Sequence, residues 1–154
     1  MSFAVIELND TGVLVSLDGD VLARSPGFAV LDGERLMTGA EAYGCARLLP
    51  RWTNNRFWHQ LSTEPIPAAT PALRHHADLA FAHLEAIWAD LKGHAGSTVF
   101  AVPPYYSREQ LGLLLGMAGE AGMPVDGVVD SAVAAAAGQS LTNAAFVLDI
   151  YLHC

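Results

Sequence analysis

The sequence predicts an α/β fold, a mixed five-stranded sheet with helices on both faces, and two stretches carry that prediction. In Ser97-Thr-Val-Phe-Ala-Val-Pro-Pro-Tyr-Tyr-Ser107-Arg-Glu-Gln110, an uncharged β-branched and aromatic run meets two prolines and then a serine followed three residues later by a glutamine. Thr98 to Val102 has the composition of a strand covered on both faces. Pro103 and Pro104 stop it. Ser107 and Gln110 form a capping box, in which each side chain satisfies a backbone N–H of the first helical turn. The second stretch is N-terminal: the apolar runs Phe3 to Asn9, Val13 to Leu17 and Val21 to Arg24 are separated by Asp10-Thr11-Gly12 and Asp18-Gly19-Asp20. This is the punctuation of a three-stranded antiparallel meander.

The remaining elements follow in order. A short helix is predicted around Ala40 to Leu48, stopped at Pro50. Arg51 to Pro71 has no clear period and holds Trp52, Phe57, Trp58, Pro65 and Pro67, so it reads as a loop pinned by aromatic residues. Leu73, Ala77, Ala80, Leu84, Trp88 and Leu91 step by three or four, which predicts an amphipathic helix over Ala72 to Leu91. The helix opened by Ser107 carries Leu111, Leu114, Leu115 and Ala118 on one face and ends near Gly122. A strand at Val125 to Val129, a helix near Ala132 to Gly138 and a last strand at Ala144 to Leu152 complete the chain. Three antiparallel strands followed by helix–strand–helix–strand–helix is the order of the ribonuclease H-like fold.

A chain of 154 residues is about one domain in size. Sixteen acidic against eight basic residues give a net charge of −8, and the basic residues are scattered. Neither nucleic acid nor an anionic membrane is an expected partner. The longest uncharged run, Ser131 to Leu148, is dominated by alanine and broken by Gly138, Gln139, Ser140, Thr142 and Asn143, too weakly apolar to span a bilayer. Met1-Ser2 leads straight into a strand with no basic and apolar leader, and the two cysteines, Cys45 and Cys154, fit a reducing compartment. The expectation is a soluble, cytoplasmic protein.

Val102-Pro103-Pro104-Tyr105-Tyr106 resembles the Val-Pro-Ala-Tyr-Phe segment of the ATPase domain of 70-kDa heat-shock chaperones, members of the actin-like ATPase superfamily. Four further regions are similar to that family in the same order. Phe3 to Gly12 resembles its first strand and phosphate loop, and Asp32 to Ala42 its Asp-Gly-Glu-Arg-Leu-Val-Gly run. Val129 to Ala136 resembles Ile-Asn-Glu-Pro-Thr-Ala-Ala-Ala, and Phe146 to Asp149 the strand before the second phosphate loop. The resemblance implies an actin-like ATPase first lobe over residues 1–142. Residues 143–154 would begin a second lobe, which in the family holds most of the adenosine pocket.

In such ATPases the phosphates of ATP or ADP sit between two hairpin loops, with acidic residues holding Mg²⁺. The resemblance assigns cofactor binding to Glu7, Asn9, Asp10, Thr11 and Asp149, with Glu7 and Asp149 as the metal ligands. The contents depart from the family pattern. Asn9 stands in place of a loop glycine, Asp10 in place of a threonine, and Tyr151-Leu152-His153-Cys154 in place of the glycines and threonine after Asp149. The family's catalytic glutamate matches Ser131, and its catalytic lysine falls near His59 or Gln60, so no catalytic residue is carried over. ATP binding is expected to be weakened or to need the second lobe, and whether the chain is an enzyme is left open. The alternative is a non-catalytic actin-fold scaffold.

His75, His76 and His83 on the long helix lack the i, i+4 pairing that places two imidazoles on one zinc, and they read as a solvated face. Ser107 and Ser131 read as helix caps. The expected partner is another protein or a second lobe, including a homodimer through residues 144–152, whose β-prone run would otherwise be an open edge.

Overall fold

The computed structural model describes residues 2–67, 70, 73–139 and 146–153. Strands β1 (Ser2–Asn9), β2 (Gly12–Leu17) and β3 (Asp20–Pro26) form the expected meander. At its second turn Asp18 and Gly19 both take positive φ, 50° and 96°, the backbone of the tight hairpin turn that matches strand twist. Two short strands, β4 (Ala29–Asp32) and β5 (Arg35–Thr38), then lead into helix α1 (Gly39–Cys45). A 3-10 turn at Pro50–Trp52 precedes β6 (Thr53–Asn54). Helix α2 (His76–Leu91), β7 (Ala95–Val102), α3 (Arg108–Glu120), β8 (Val125–Asp130) and α4 (Ser131–Ala137) follow.

The main sheet has the order β3-β2-β1-β7-β8, with β1, β7 and β8 parallel to one another. Ala4, Ile6 and Leu8 alternate along β1 and are buried in one cluster with Leu79, Leu84 and Trp88 of α2, Phe100 of β7, and Leu114 and Ala118 of α3. The loop before α2 enters the same cluster through Phe57 and Trp58, at 0% and 1% exposure. Trp52 stays outside it, half exposed. The loop is further held by the Tyr106 hydroxyl, which donates to the Trp58 carbonyl at 2.7 Å, and by Gln110 Nε2, which donates to the His59 carbonyl at 3.1 Å. The capping box is present: Gln110 N–H donates to Ser107 Oγ at 3.2 Å and Ser107 N–H to Gln110 Oε1 at 2.9 Å.

Five features differ from the sequence reading. A second sheet of order β5-β4-β6 stands where no strand was expected, turned at Gly33-Glu34, with Val30 and Met37 packing on Ala42 of α1. Helix α2 starts at His76, where His75 and Asp78 form their own capping box, while the expected start at Ala72 lies outside the described residues. In α4 the cap is Asp130, whose Oδ1 accepts from Ala132 N–H at 2.8 Å and Val133 N–H at 3.1 Å, so Ser131 is the first helical residue instead. The last strand is absent over 146–152, which join no ladder, and 144–145 lie outside the described residues. A strand needs a partner's backbone, and among the described residues β8 pairs only with β7.

The fifth difference is His83, which is 1% exposed rather than solvated. Trp58 Nε1–H donates to its Nδ1 at 3.0 Å, and Ser25 Oγ lies 2.7 Å from its Nε2. An indole N–H only donates, so Nδ1 carries the lone pair, and the neutral ring donates from Nε2 to the serine. That tautomer ties α2, the aromatic loop and β3 together, and it prevents the imidazole from acting as a base toward Ser25. Burial pushes the His83 pKa down to about 4. An unfolded histidine titrates near ~6.5, so between these values the unfolded chain binds more protons than the folded one. Stability present above pH ~6.5 is therefore lost as the pH falls toward ~4, by up to about 3 kcal/mol at ~1.36 kcal/mol per unit. Urea midpoints across this window should fall for the wild type and fall less steeply for His83→Gln. Parallel profiles for the two proteins would contradict the assignment.

Candidate functional site

Because β1, β7 and β8 are parallel, their C-terminal ends lie at one edge of the sheet, where ligands of open α/β sheets bind. That edge gathers the Asn9-Asp10-Thr11-Gly12 turn after β1, Pro103-Pro104-Tyr105 after β7 and Asp130-Ser131 after β8.

The first turn is closed by its own side chain. Asn9 Oδ1 accepts from Thr11 N–H at 2.8 Å, from Thr11 Oγ1–H at 2.5 Å and from Gly12 N–H at 3.0 Å. The turn is pressed against the β3–β4 connection, with Gly27 N–H donating to the Thr11 carbonyl at 2.7 Å. Gly12 is required by this approach: a Cβ there would lie 2.3 Å from the Ser25 carbonyl oxygen. Asp10, between Asn9 and Thr11, is only 1% exposed. Its Oδ2 accepts from His153 N–H at 2.5 Å, a contact between residues 143 positions apart.

The 149–153 segment thus lies across the turn. His153 Nε2 is 3.0 Å from the Asn55 carbonyl, which makes that nitrogen the donor. The Tyr151 ring meets Tyr105 edge-on at 4.8 Å, Tyr105 lies 5.2 Å from His59, and His59 lies 6.2 Å from His153. The Tyr151 hydroxyl donates to the Asp149 carboxylate and also bonds Ser131. Burial first, and then Asp149, push the Tyr151 phenol pKa upward. The Nδ1 of His59 is buried and finds no hydrogen-bond partner among the described residues.

Of the sequence-predicted site residues, Asn9 and Thr11 meet in the turn, and Asp10 meets the segment that contains Asp149. Glu7 sits half-buried on β1, opposite Leu14 and Ala101, and Asp149 is exposed. Among the described residues, no cluster of three or more histidine, cysteine, aspartate or glutamate side chains is arranged to hold a metal. Sequence reasoning missed Asn55, Tyr105 and His153 as members of this edge. No spacing relates them, since three separate loops bring them together. Two larger cavities lie elsewhere: one of about 880 Å³ between residues 60–64 and the start of α3, and one of about 530 Å³ between β3, α1 and α2. No helix among the described residues is long and apolar enough to cross a membrane.

No family model and no curated protein sequence matches the chain. Among solved structures it is similar to MreB5 of Spiroplasma citri bound to ADP, with a TM-score of 0.66 and 18% identity. The alignment covers 92% of this chain and 41% of that one, so the chain spans well under half the length of its structural neighbour. At this identity the likeness is one of fold, and it gives no support to the heat-shock family in particular. The chain has the α/β fold of an actin-like ATPase lobe, a mixed five-stranded sheet with helices packed against it.

Proposed function

We propose that this chain is the first lobe of an actin-like, nucleotide-binding protein in which ATP or ADP is held weakly by the lobe alone and depends on a second lobe. The observation that carries the weakening is Asn9 Oδ1, which takes the Thr11 and Gly12 N–H groups that a phosphate would otherwise receive. The buried Asp10 adds a negative charge beside the same turn. The ADP bound to MreB5 supports a nucleotide as the cofactor class. Glu7 and Asp149 are the residues proposed to hold Mg²⁺ once a second lobe is in place. The Val102–Tyr106 and Asp32–Ala42 segments favour a heat-shock-type relative, and the structural likeness to MreB5 favours an MreB-like one. Calorimetric titration of the chain with ATP·Mg²⁺ should give binding weaker than about 1 mM, under about 4 kcal/mol of affinity. Micromolar binding, or turnover that depends on Glu7, would overturn the reading.

A second reading, a non-catalytic assembly scaffold, is favoured by residues 146–152. Phe146, Val147, Leu148, Ile150 and Leu152 are all exposed, an uncovered apolar run. Covering each side chain would contribute about 1.5–3 kcal/mol, so a second lobe or a second copy of the chain is the proposed cover. Sedimentation at high micromolar concentration should show a dimer that Leu148→Asp with Ile150→Asp dissociates. A wild-type monomer under the same conditions would exclude the homodimer.

A further inference from the structure

We infer that residues 149–153 form a built-in plug, anchored on Asp10, that closes the β1–β2 turn to phosphate. The inference deepens the nucleotide-binding reading and rests on it for the identity of the excluded group. A carboxylate that is 1% exposed must be compensated by donors, and the described compensation comes from the plug, through the N–H of His153 at 2.5 Å. The same residue is fixed a second time, through its ring on the Asn55 carbonyl at 3.0 Å. One step back, Tyr151 is held against Tyr105 and bonded to Ser131 and Asp149. The segment alternates: Tyr151 and His153 turn toward the turn and its neighbours, while Ile150 and Leu152 point to solvent.

The polarity of the turn is thereby reversed. A phosphate cradle offers N–H donors to an anion, whereas this turn has given its donors to Asn9 and offers a carboxylate to an incoming N–H. An arriving phosphate would have to displace His153 and would then face the uncovered Asp10 charge. Bulky side chains at 151 and 153, where small residues would leave room, are the specificity-determining feature.

Two measurements on the full chain decide the matter. Hydrogen exchange followed by mass spectrometry should show the C-terminal peptide protected at least ten-fold over the unstructured rate in the wild type. Asp10→Ala should abolish that protection, and so should the pair Tyr151→Ala and His153→Ala, which lies in a peripheral segment and leaves the core intact. Calorimetry with inorganic pyrophosphate and with ADP should show at least ten-fold tighter binding to both opened variants. An unprotected wild-type C-terminal peptide would overturn the plug. So would opened variants that bind pyrophosphate no better than the wild type. The exchange measurement contains no nucleotide, so it rules on the docking of the segment even where the wild type proves to bind ATP tightly and the proposed function fails.

Discussion

A single acceptor, the Asn9 side-chain oxygen, organises the edge of the sheet where the candidate site lies. It receives three hydrogens from the two residues that follow Asp10 and so converts a flexible turn into a closed ring. Each such hydrogen bond contributes about 1 kcal/mol net, and leaving one of these donors unmatched would cost about 1–3 kcal/mol. A ligand that wanted the same donors would have to replace all of them at once. The turn is stable because it is self-sufficient, and in the proposed function that self-sufficiency weakens its hold on an anion.

The rest of the fold keeps that turn in place. β1 is the central strand, paired to β2 as far as Asn9 on one side and to β7 as far as Glu7 on the other, which ties its C-terminal end to the sheet. The close approach of Gly12 to Ser25 and Gly27 locks the turn against the next connection, with no room for a side chain. From there Ser25 connects to His83, and His83 to Trp58, a chain of hydrogen bonds that fastens helix α2 and the aromatic loop to the sheet edge. That loop carries Asn55 and His59 to the site. Burial and geometry therefore run continuously from the core to the turn.

Much of this architecture was legible in the sequence because its signals are local. Ser107 and Gln110 sit at the spacing of a capping box, Asp18-Gly19 has the chemistry of a tight hairpin turn, and Thr98 to Val102 is too short and too β-branched to be a helix. The β5-β4-β6 sheet was not legible: its strands are two to four residues long, too short for alternation to register. His83 was misread although a signal existed, since Leu79 and Ile87, four residues before and after it, are both buried on the same face. The 144–152 run has strand composition, but composition supplies no ladder partner. At the site, the departures at Asn9 and Asp10 were visible as residue types. Their consequence was not, because it depends on which donors Asn9 takes and on a contact with His153 across 143 positions.

The central claim is that the N–H groups of Thr11 and Gly12 are spent inside the turn. Amide chemical shifts of these two residues, followed by nuclear magnetic resonance during titration with pyrophosphate, test it most directly. The account predicts shifts that stay within the general drift of the spectrum up to millimolar ligand. Large, saturating movements of both amides would show that the donors are available to an anion and would contradict it.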